Sequence, residues 1–89
     1  ELCQNYPNPF NPITNIEYNI PTTSFVNLSI FDLSGNLVRN MLSKRENPGY
    51  RSIIWDSKNE MGETVASGIY IYTIIADNFI QSKKMLLLK

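Results

Sequence analysis

The chain predicts an all-β protein, an antiparallel β-sandwich of about seven short strands, and three observations carry that expectation. Short runs alternate apolar and polar residues with a period of two, the signature of strands with one buried face. Clusters of Gly, Pro, Asn, Asp and Ser separate these runs at the regular spacing typical of sandwiches. Neither a stretch of helical length nor a strand–helix–strand rhythm occurs, and there is no glycine-rich phosphate loop, which excludes a nucleotide-binding sheet.

Residues 1–14 read as a strap packed on a sandwich formed by residues 15–89. Gln4-Asn5-Tyr6-Pro7-Asn8-Pro9-Phe10-Asn11-Pro12 sets three prolines and three asparagines around two aromatic rings. Each proline fixes its own φ and drives the preceding residue out of the α region, so the segment runs extended with sharp turns. Asn side chains bond nearby backbone, while Tyr6 and Phe10 carry too much apolar area for an idle linker.

The first strand places Ile16, Tyr18 and Ile20 on one face and ends at Pro21. Val26, Leu28 and Ile30 then alternate with Asn27, Ser29 and Phe31, and Asp32-Leu33-Ser34-Gly35 turns the chain into a hairpin with Asn36–Ser43. Leu37, Val38, Met41 and Leu42 also fit one face of a short helix; the tight turn favours a strand. Lys44–Asn47 is a polar break, and Pro48-Gly49 a further turn. Tyr50–Trp55 follows, with Ile53 and Trp55 as the core pair, then a polar loop over Asp56–Gly62 and the short segment Glu63-Thr64-Val65. Beyond the break at Ser67-Gly68, the β-branched and aromatic residues of Ile69–Ala76 mark a central strand dense on both faces. Asp77-Asn78 leads into the last strand, Phe79–Leu88. The expected core is Tyr18, Leu28, Ile30, Ile53, Trp55, Tyr70, Tyr72, Ile74, Met85 and Leu87.

A chain of 89 residues supports one modest core. Acidic and basic residues balance at eight each, so no broad positive field exists to hold nucleic acid or an anionic membrane. The single cysteine, Cys3, cannot form an internal disulfide, and with no histidine a thiolate–imidazole zinc site has no ligands. No signal peptide or membrane-spanning stretch is visible, and a soluble segment, monomeric as an isolated domain, is expected. An initial Glu and a Pro/Asn-rich opening read as a piece cut from a longer protein, with Lys89 as its natural end.

Catalysis has little to work with. A nucleophilic triad lacks its base, and Cys3 has no evident partner. Asp56, Glu60 and Glu63 lie in a loop where turn capping and solvation account for them. Asp56, Asn59 and Glu60 offer oxygens suited to a structural calcium, although their spacing departs from the helix–loop–helix calcium pattern. Trp55 is a conceivable sugar platform, but its phase with Ile53 points to burial; Tyr6, Phe10 and Tyr50 are the aromatics left to be exposed.

Read together, these residues resemble the type A C-terminal sorting domain of bacterial type IX secretion cargo, and are similar to the immunoglobulin-like domain of the flagellar hook-capping protein. The likeness rests on Leu2, on Asn5, Tyr6, Pro7, Asn8, Pro9, Phe10, Asn11 and Pro12, and on Ile16, Tyr18 and Ile20-Pro21. It continues through Leu28, Ile30, Phe31-Asp32, Gly35 and Leu37-Val38, then Gly49, Trp55-Asp56, Asn59, Gly62, Val65 and Ser67-Gly68-Ile69-Tyr70 with Tyr72. It closes on Lys83-Lys84-Met85, Leu87, Leu88 and Lys89, and so spans essentially the whole chain. Two departures are small: Ser57 stands where Gly is common after Trp-Asp, and Ile13 where Thr is common.

The resemblance implies an immunoglobulin-like module at the C-terminus of a larger secreted protein, often an enzyme. Such a module is an address read by type IX machinery once a separate N-terminal signal has brought the cargo to the periplasm. A sortase-like cysteine endopeptidase can then remove it, releasing cargo to the medium or joining it to lipopolysaccharide on the outer surface. The domain is substrate there, without cofactor or catalytic residue. A carbohydrate-binding or purely structural accessory sandwich is the alternative. In such a bacterial chain, the glycosylation pattern Asn27-Leu28-Ser29 is an accident of a polar strand face.

Recognition would fall on the last strand, where Lys83, Lys84 and Lys89 bracket Met85-Leu86-Leu87-Leu88. Met85 and Leu87 point into the sandwich, leaving Leu86 and Leu88 to meet a partner that reads the strand by edge pairing. The same lysines also serve as gatekeepers against aggregation, and both readings stand together.

Overall fold

The computed structural model describes residues 1–89 and contains six strands. They are β1 (Thr14–Ile20), β2 (Ser24–Asp32), β3 (Leu37–Glu46), β4 (Gly49–Trp55), β5 (Gly68–Ala76) and β6 (Phe79–Leu87). A two-stranded antiparallel sheet, β1-β4, faces a four-stranded antiparallel sheet ordered β3-β2-β5-β6.

Period-two alternation builds the core between the sheets. Ile16, Tyr18 and Ile20 of β1 and Trp55 of β4 meet Val26, Leu28 and Ile30 of β2, with Tyr70, Tyr72 and Ile74 of β5 and Met85 and Leu87 of β6 completing the layer. Register aligns these side chains across the larger sheet, setting Leu28 opposite Ile74, Ile30 opposite Tyr72, and Tyr70 opposite Met85. Ile53 is only half-buried and packs at the margin of this cluster.

Six strands form where about seven are expected, and Glu63-Thr64-Val65, between the polar loop and the break at Ser67-Gly68, is not one of them. That segment makes one isolated bridge, Thr64 to Lys58, because the loop folds onto itself. Asn59 Oδ1 accepts from the Met61 and Glu63 amides, the Val65 amide donates to Ser57 O, and Gly62 takes φ +80° in the turn, a conformation glycine adopts without steric cost.

The polar break expected at Lys44–Asn47 is also corrected, since β3 continues to Glu46. Glu46 points inward, where the Tyr18 hydroxyl donates to its Oε1 at 2.8 Å and Arg51 Nε lies 3.6 Å away. A buried carboxylate needs such partners, and they hold the end of β3 against the smaller sheet. Polarity in the sequence marked a buried tie rather than a break.

β5 lies inside its sheet, between β2 and β6, but is not buried on both faces. Ile69 and Ile75, on the face away from the core, are each 42% exposed. No helix in the chain is long and apolar enough to cross a membrane.

The strap is part of both sheets. Leu2 bridges Tyr18 and Tyr6 bridges Asn15, both antiparallel, so the first residues add a row beside β1. The chain then crosses to β6, where the Phe10 amide donates to Leu86 O and the Leu88 amide to Phe10 O, each at 3.0 Å. Phe10 and Leu87 pair in parallel. Backbone hydrogen bonds thus tie the open side of one sheet to the open edge of the other.

Candidate functional site

The residues singled out by the sequence separate into a buried anchor and an exposed face. Asn5 is the centre of the anchor, almost fully buried. Its Nδ2 donates to Thr14 Oγ1 at 2.9 Å and to Pro7 O at 3.2 Å, its Oδ1 accepts from Gln4 Nε2 at 2.7 Å, and its amide donates to the Tyr72 hydroxyl at 2.7 Å. That hydroxyl in turn donates to Cys3 O at 2.7 Å, so a tyrosine in the centre of β5 holds two strap residues by their backbone. A short polar side chain that reaches three partners at once explains an asparagine at this place.

Pro7, Pro9 and Pro12 follow cis peptide bonds and shape the path of the strap. Pro7 O accepts from Thr14 Oγ1, Pro12 O accepts from Ser57 Oγ, and Asn8 Oδ1 accepts the Leu86 amide. Pro9 and Asn11 are exposed. Phe10 is 2% exposed, which corrects its expected place among the exposed aromatics. Its ring lies 5.8 Å from that of Trp55, which meets Tyr70 edge-on at 5.4 Å. Phe10, Trp55 and Tyr70, distant in sequence, therefore form one stack whose preferred tilted geometry adds to its burial.

The Trp55–Tyr70 loop is fastened by the same residues. Trp55 Nε1 donates to Lys58 O at 2.9 Å, the Tyr70 hydroxyl donates to Ala66 O at 2.6 Å, and Gly68 leaves the loop with φ +153°. Asp56 pairs with Arg39 at 2.9 Å, and Glu60 accepts the Asn40 amide on β3. The oxygens of Asp56, Asn59 and Glu60 are therefore turned to three different partners and do not converge on a calcium position.

Ser57 takes φ +65°, the left-handed region that explains why Gly is common there, and it is fully buried. Its hydroxyl bond to Pro12 O offsets that cost. Ser57→Ala keeps the strained backbone and loses the bond, and a cost of about 1–2 kcal/mol is expected. Ser57→Gly relaxes the backbone by about 1 kcal/mol and should fall close to wild type. Denaturant midpoints of the two variants check the order.

Tyr72, Tyr70 and Tyr18 all have hydroxyl pKa values raised above the ordinary 10, in each case first by burial; for Tyr72 the value is pushed up to about 12. The folded state thus holds these phenol protons more tightly than the unfolded one. The contribution of each is complete below pH 10 and is lost as pH rises through its raised folded value, about 12 for Tyr72. The fold should lose stability over that alkaline window, and Tyr72→Phe should flatten the slope of the unfolding midpoint against pH while lowering stability below pH 10.

The five residues expected to be read by a partner do not share one surface. Parity along β6 puts Lys83 on the face of Met85 and Leu87, half-buried opposite Tyr72, whereas Lys84 and Leu86 lie on the outer face. Leu88 is 51% exposed, and Lys89 is held by its amide to Ser67 Oγ. Edge pairing along the end of β6 is corrected, because the strap occupies that edge from Lys84 to Leu88. Gln4 Nε2 takes Lys84 O, and Asn8 and Phe10 take the polar groups of Leu86 and Leu88. Side chains, not backbone, remain for a partner to read.

Thr14 and Ser57 are anchors that the sequence reading passed over. Thr14 lies in phase with Ile16, Tyr18 and Ile20, which was the available signal for its burial. Ser57 carried only its departure from a common Gly.

Two facing antiparallel sheets with this strand order, closed by an aromatic stack, define an immunoglobulin-like β-sandwich. The model of the FlgD Ig-like domain matches residues 13–78, and the chain belongs to that family. No curated protein matches it in sequence. Among solved structures it is similar to dimeric latent PorU from Porphyromonas gingivalis, with a TM-score of 0.76 at 20% identity over 98% of this chain and 9% of that one. PorZ, a surface component of the type IX secretion system of the same bacterium, gives 0.67 at 18% identity over 97% and 11%. FlgD from P. aeruginosa gives 0.64 at 22% over 84% and 59%. At these identities the likeness is one of fold, and the chain spans about a tenth of PorU and PorZ.

Proposed function

We propose that this chain is a C-terminal sorting and cell-surface targeting module of type A, carried by a larger secreted protein and read by type IX export machinery. The observation that supports it is where the likenesses end. The family model stops short of residues 1–12 and 79–89, and those two segments are the ones that pair with each other here, Phe10 with Leu87. The matches to PorU and PorZ cover 97–98% of the chain, too much to leave out either segment as a whole. A strap-and-last-strand closure added to a FlgD-type core fits a module whose end is its message.

The module is substrate rather than catalyst, with export and sortase-like machinery as partners, protein domains preceding it, and the outer surface or medium as destination. The reading is tested by fusing the chain to a periplasmic reporter in a host with type IX export. Surface or medium reporter is the expected result. A folded fusion retained in the periplasm contradicts it and favours a structural accessory role.

A carbohydrate-binding role keeps one observation, the Tyr50 ring, 80% exposed on β4 beside Glu17 and Ser52. With Trp55 fully buried, the stronger stacking platform is gone. Micromolar glycan binding lost in Tyr50→Ala would favour that role.

A further inference from the structure

We infer that the outer face of the four-stranded sheet, at its end nearest the strap, is the surface that an export receptor protein grips, through a carboxylate beside apolar side chains. The inference rests on the sorting reading and names the partner's chemistry.

Strand register gathers the patch. Leu37 lies opposite Phe31, Phe31 opposite Ile71, and Ile71 opposite Lys84, with Ile69 opposite Leu86 in the adjoining row. Leu37 is 53% and Ile69 42% exposed, while Phe31, Ile71 and Leu86 are half-buried. The patch is bounded on one side by a polar row, Asn40, Ser29, Thr73 and Ser82. Those groups satisfy one another, Asn40 Nδ2 donating to Ser29 Oγ at 2.9 Å and Thr73 Oγ1 bonding Ser82 Oγ at 2.7 Å, so they offer little to a partner. Contiguous apolar area rimmed by polar residues is what protein interaction surfaces present.

Charge selects the occupant. The chain carries eight acids, yet none stands on this face, whose charged residues are Arg45 and Lys84. Asp32, next to Phe31, faces the other way, opposite Tyr70, and its carboxylate is spent on the Ser34 and Asn36 amides. The two ion pairs of the protein, Arg39–Asp56 and Arg51–Glu46, leave Lys84 without an acidic partner. A shallow depression of about 150 Å³ is lined by Asn8, Ile69, Lys84, Met85 and Leu86, so Lys84 borders an apolar hollow. Two cations are too few for an anionic membrane, which draws on clusters of about four to eight. Lys84 is the one at this end of the face, Arg45 lying opposite Phe25 at the other, and it suits a carboxylate flanked by aliphatic side chains on a protein. Asn8 both lines the hollow and holds the Leu86 amide, so the order of the strap shapes it.

The test uses the reporter fusion in the type IX host, with Lys84→Glu, Lys84→Arg, Ile69→Ser and, on the opposite sheet, Tyr50→Ser, each checked for an unchanged thermal midpoint. Lys84→Glu and Ile69→Ser should each lower the exported fraction about tenfold, a loss of about 1.4 kcal/mol in receptor binding. Lys84→Arg and Tyr50→Ser should leave it unchanged. A wild-type fusion that stays in the periplasm removes the sorting reading and this inference with it. Undiminished export of folded Lys84→Glu and Ile69→Ser removes this inference alone. Wild-type binding to phosphatidylglycerol vesicles, lost in Lys84→Glu, would assign the face to lipid and overturn it as well.

Discussion

Replacing Phe10 by alanine is expected to destabilise the domain by about 3–5 kcal/mol, a large share of what a chain of this size has in total. The ring is 2% exposed and stacks on Trp55, so truncation opens a cavity and removes one side of the aromatic stack. It also loosens the backbone bonds that Phe10 makes on either side of Leu87. Tyr6, four residues earlier and 79% exposed, is the matched control. Its backbone bridges Asn15 but its ring touches little, and Tyr6→Ala should change stability by no more than about 0.5 kcal/mol. Chemical denaturation of both variants measures the contrast. Equal small effects would mean that the strap is a loose lead-in.

Removing Lys83–Lys89 should abolish folding altogether. The deletion takes Met85 and Leu87 from the core, each worth about 2–5 kcal/mol even when only cut back to alanine. It also strips the outer neighbour from half of β5 and leaves Gln4, Asn8 and Phe10 without the groups they bond. The summed loss exceeds the stability of a small domain. Loss of dispersed amide signals in an NMR spectrum would show it, and the same deletion should leave a reporter fusion unexported. A shortened chain that stayed folded and was still exported would remove the sorting role of this strand.

Much of the fold was legible because period-two alternation directly encodes which side of a strand is buried. Tyr18, Leu28, Ile30, Trp55, Tyr72, Ile74, Met85 and Leu87 all lie where their phase put them. What escaped notice shares a physical cause. Glu46 is a charge whose partners, Tyr18 and Arg51, come from another sheet, so local polarity pointed to a break where the fold has a tie. Glu63-Thr64-Val65 has strand composition but no neighbour, and a strand exists only through its partner. The density of Ile69–Ala76 pointed to a central strand, as found, but did not tell that Ile69, Ile71 and Ile75 form an outer surface.

The candidate site was legible in part. Proline and asparagine spacing announced an ordered strap, but nothing local revealed that Asn5 would be satisfied by Thr14 and Tyr72, or that Phe10 would reach Trp55. The lysines and leucines of the last strand were legible as a group, yet alternation splits Lys83 from Lys84, and the strap takes the edge that an incoming strand would need. Those are consequences of long-range pairing, which a single sequence does not display.

The central claim is that the strap and the last strand close the sandwich as one unit, and native-state hydrogen exchange at three amides tests it most directly. Phe10 and Leu88 donate to each other's strands, and Leu86 donates to Asn8. The account predicts that all three exchange slowly and lose protection together, with the same denaturant dependence as the amides of β5. Exchange of Phe10, Leu86 and Leu88 at free-peptide rates, while β5 stays protected, would contradict it.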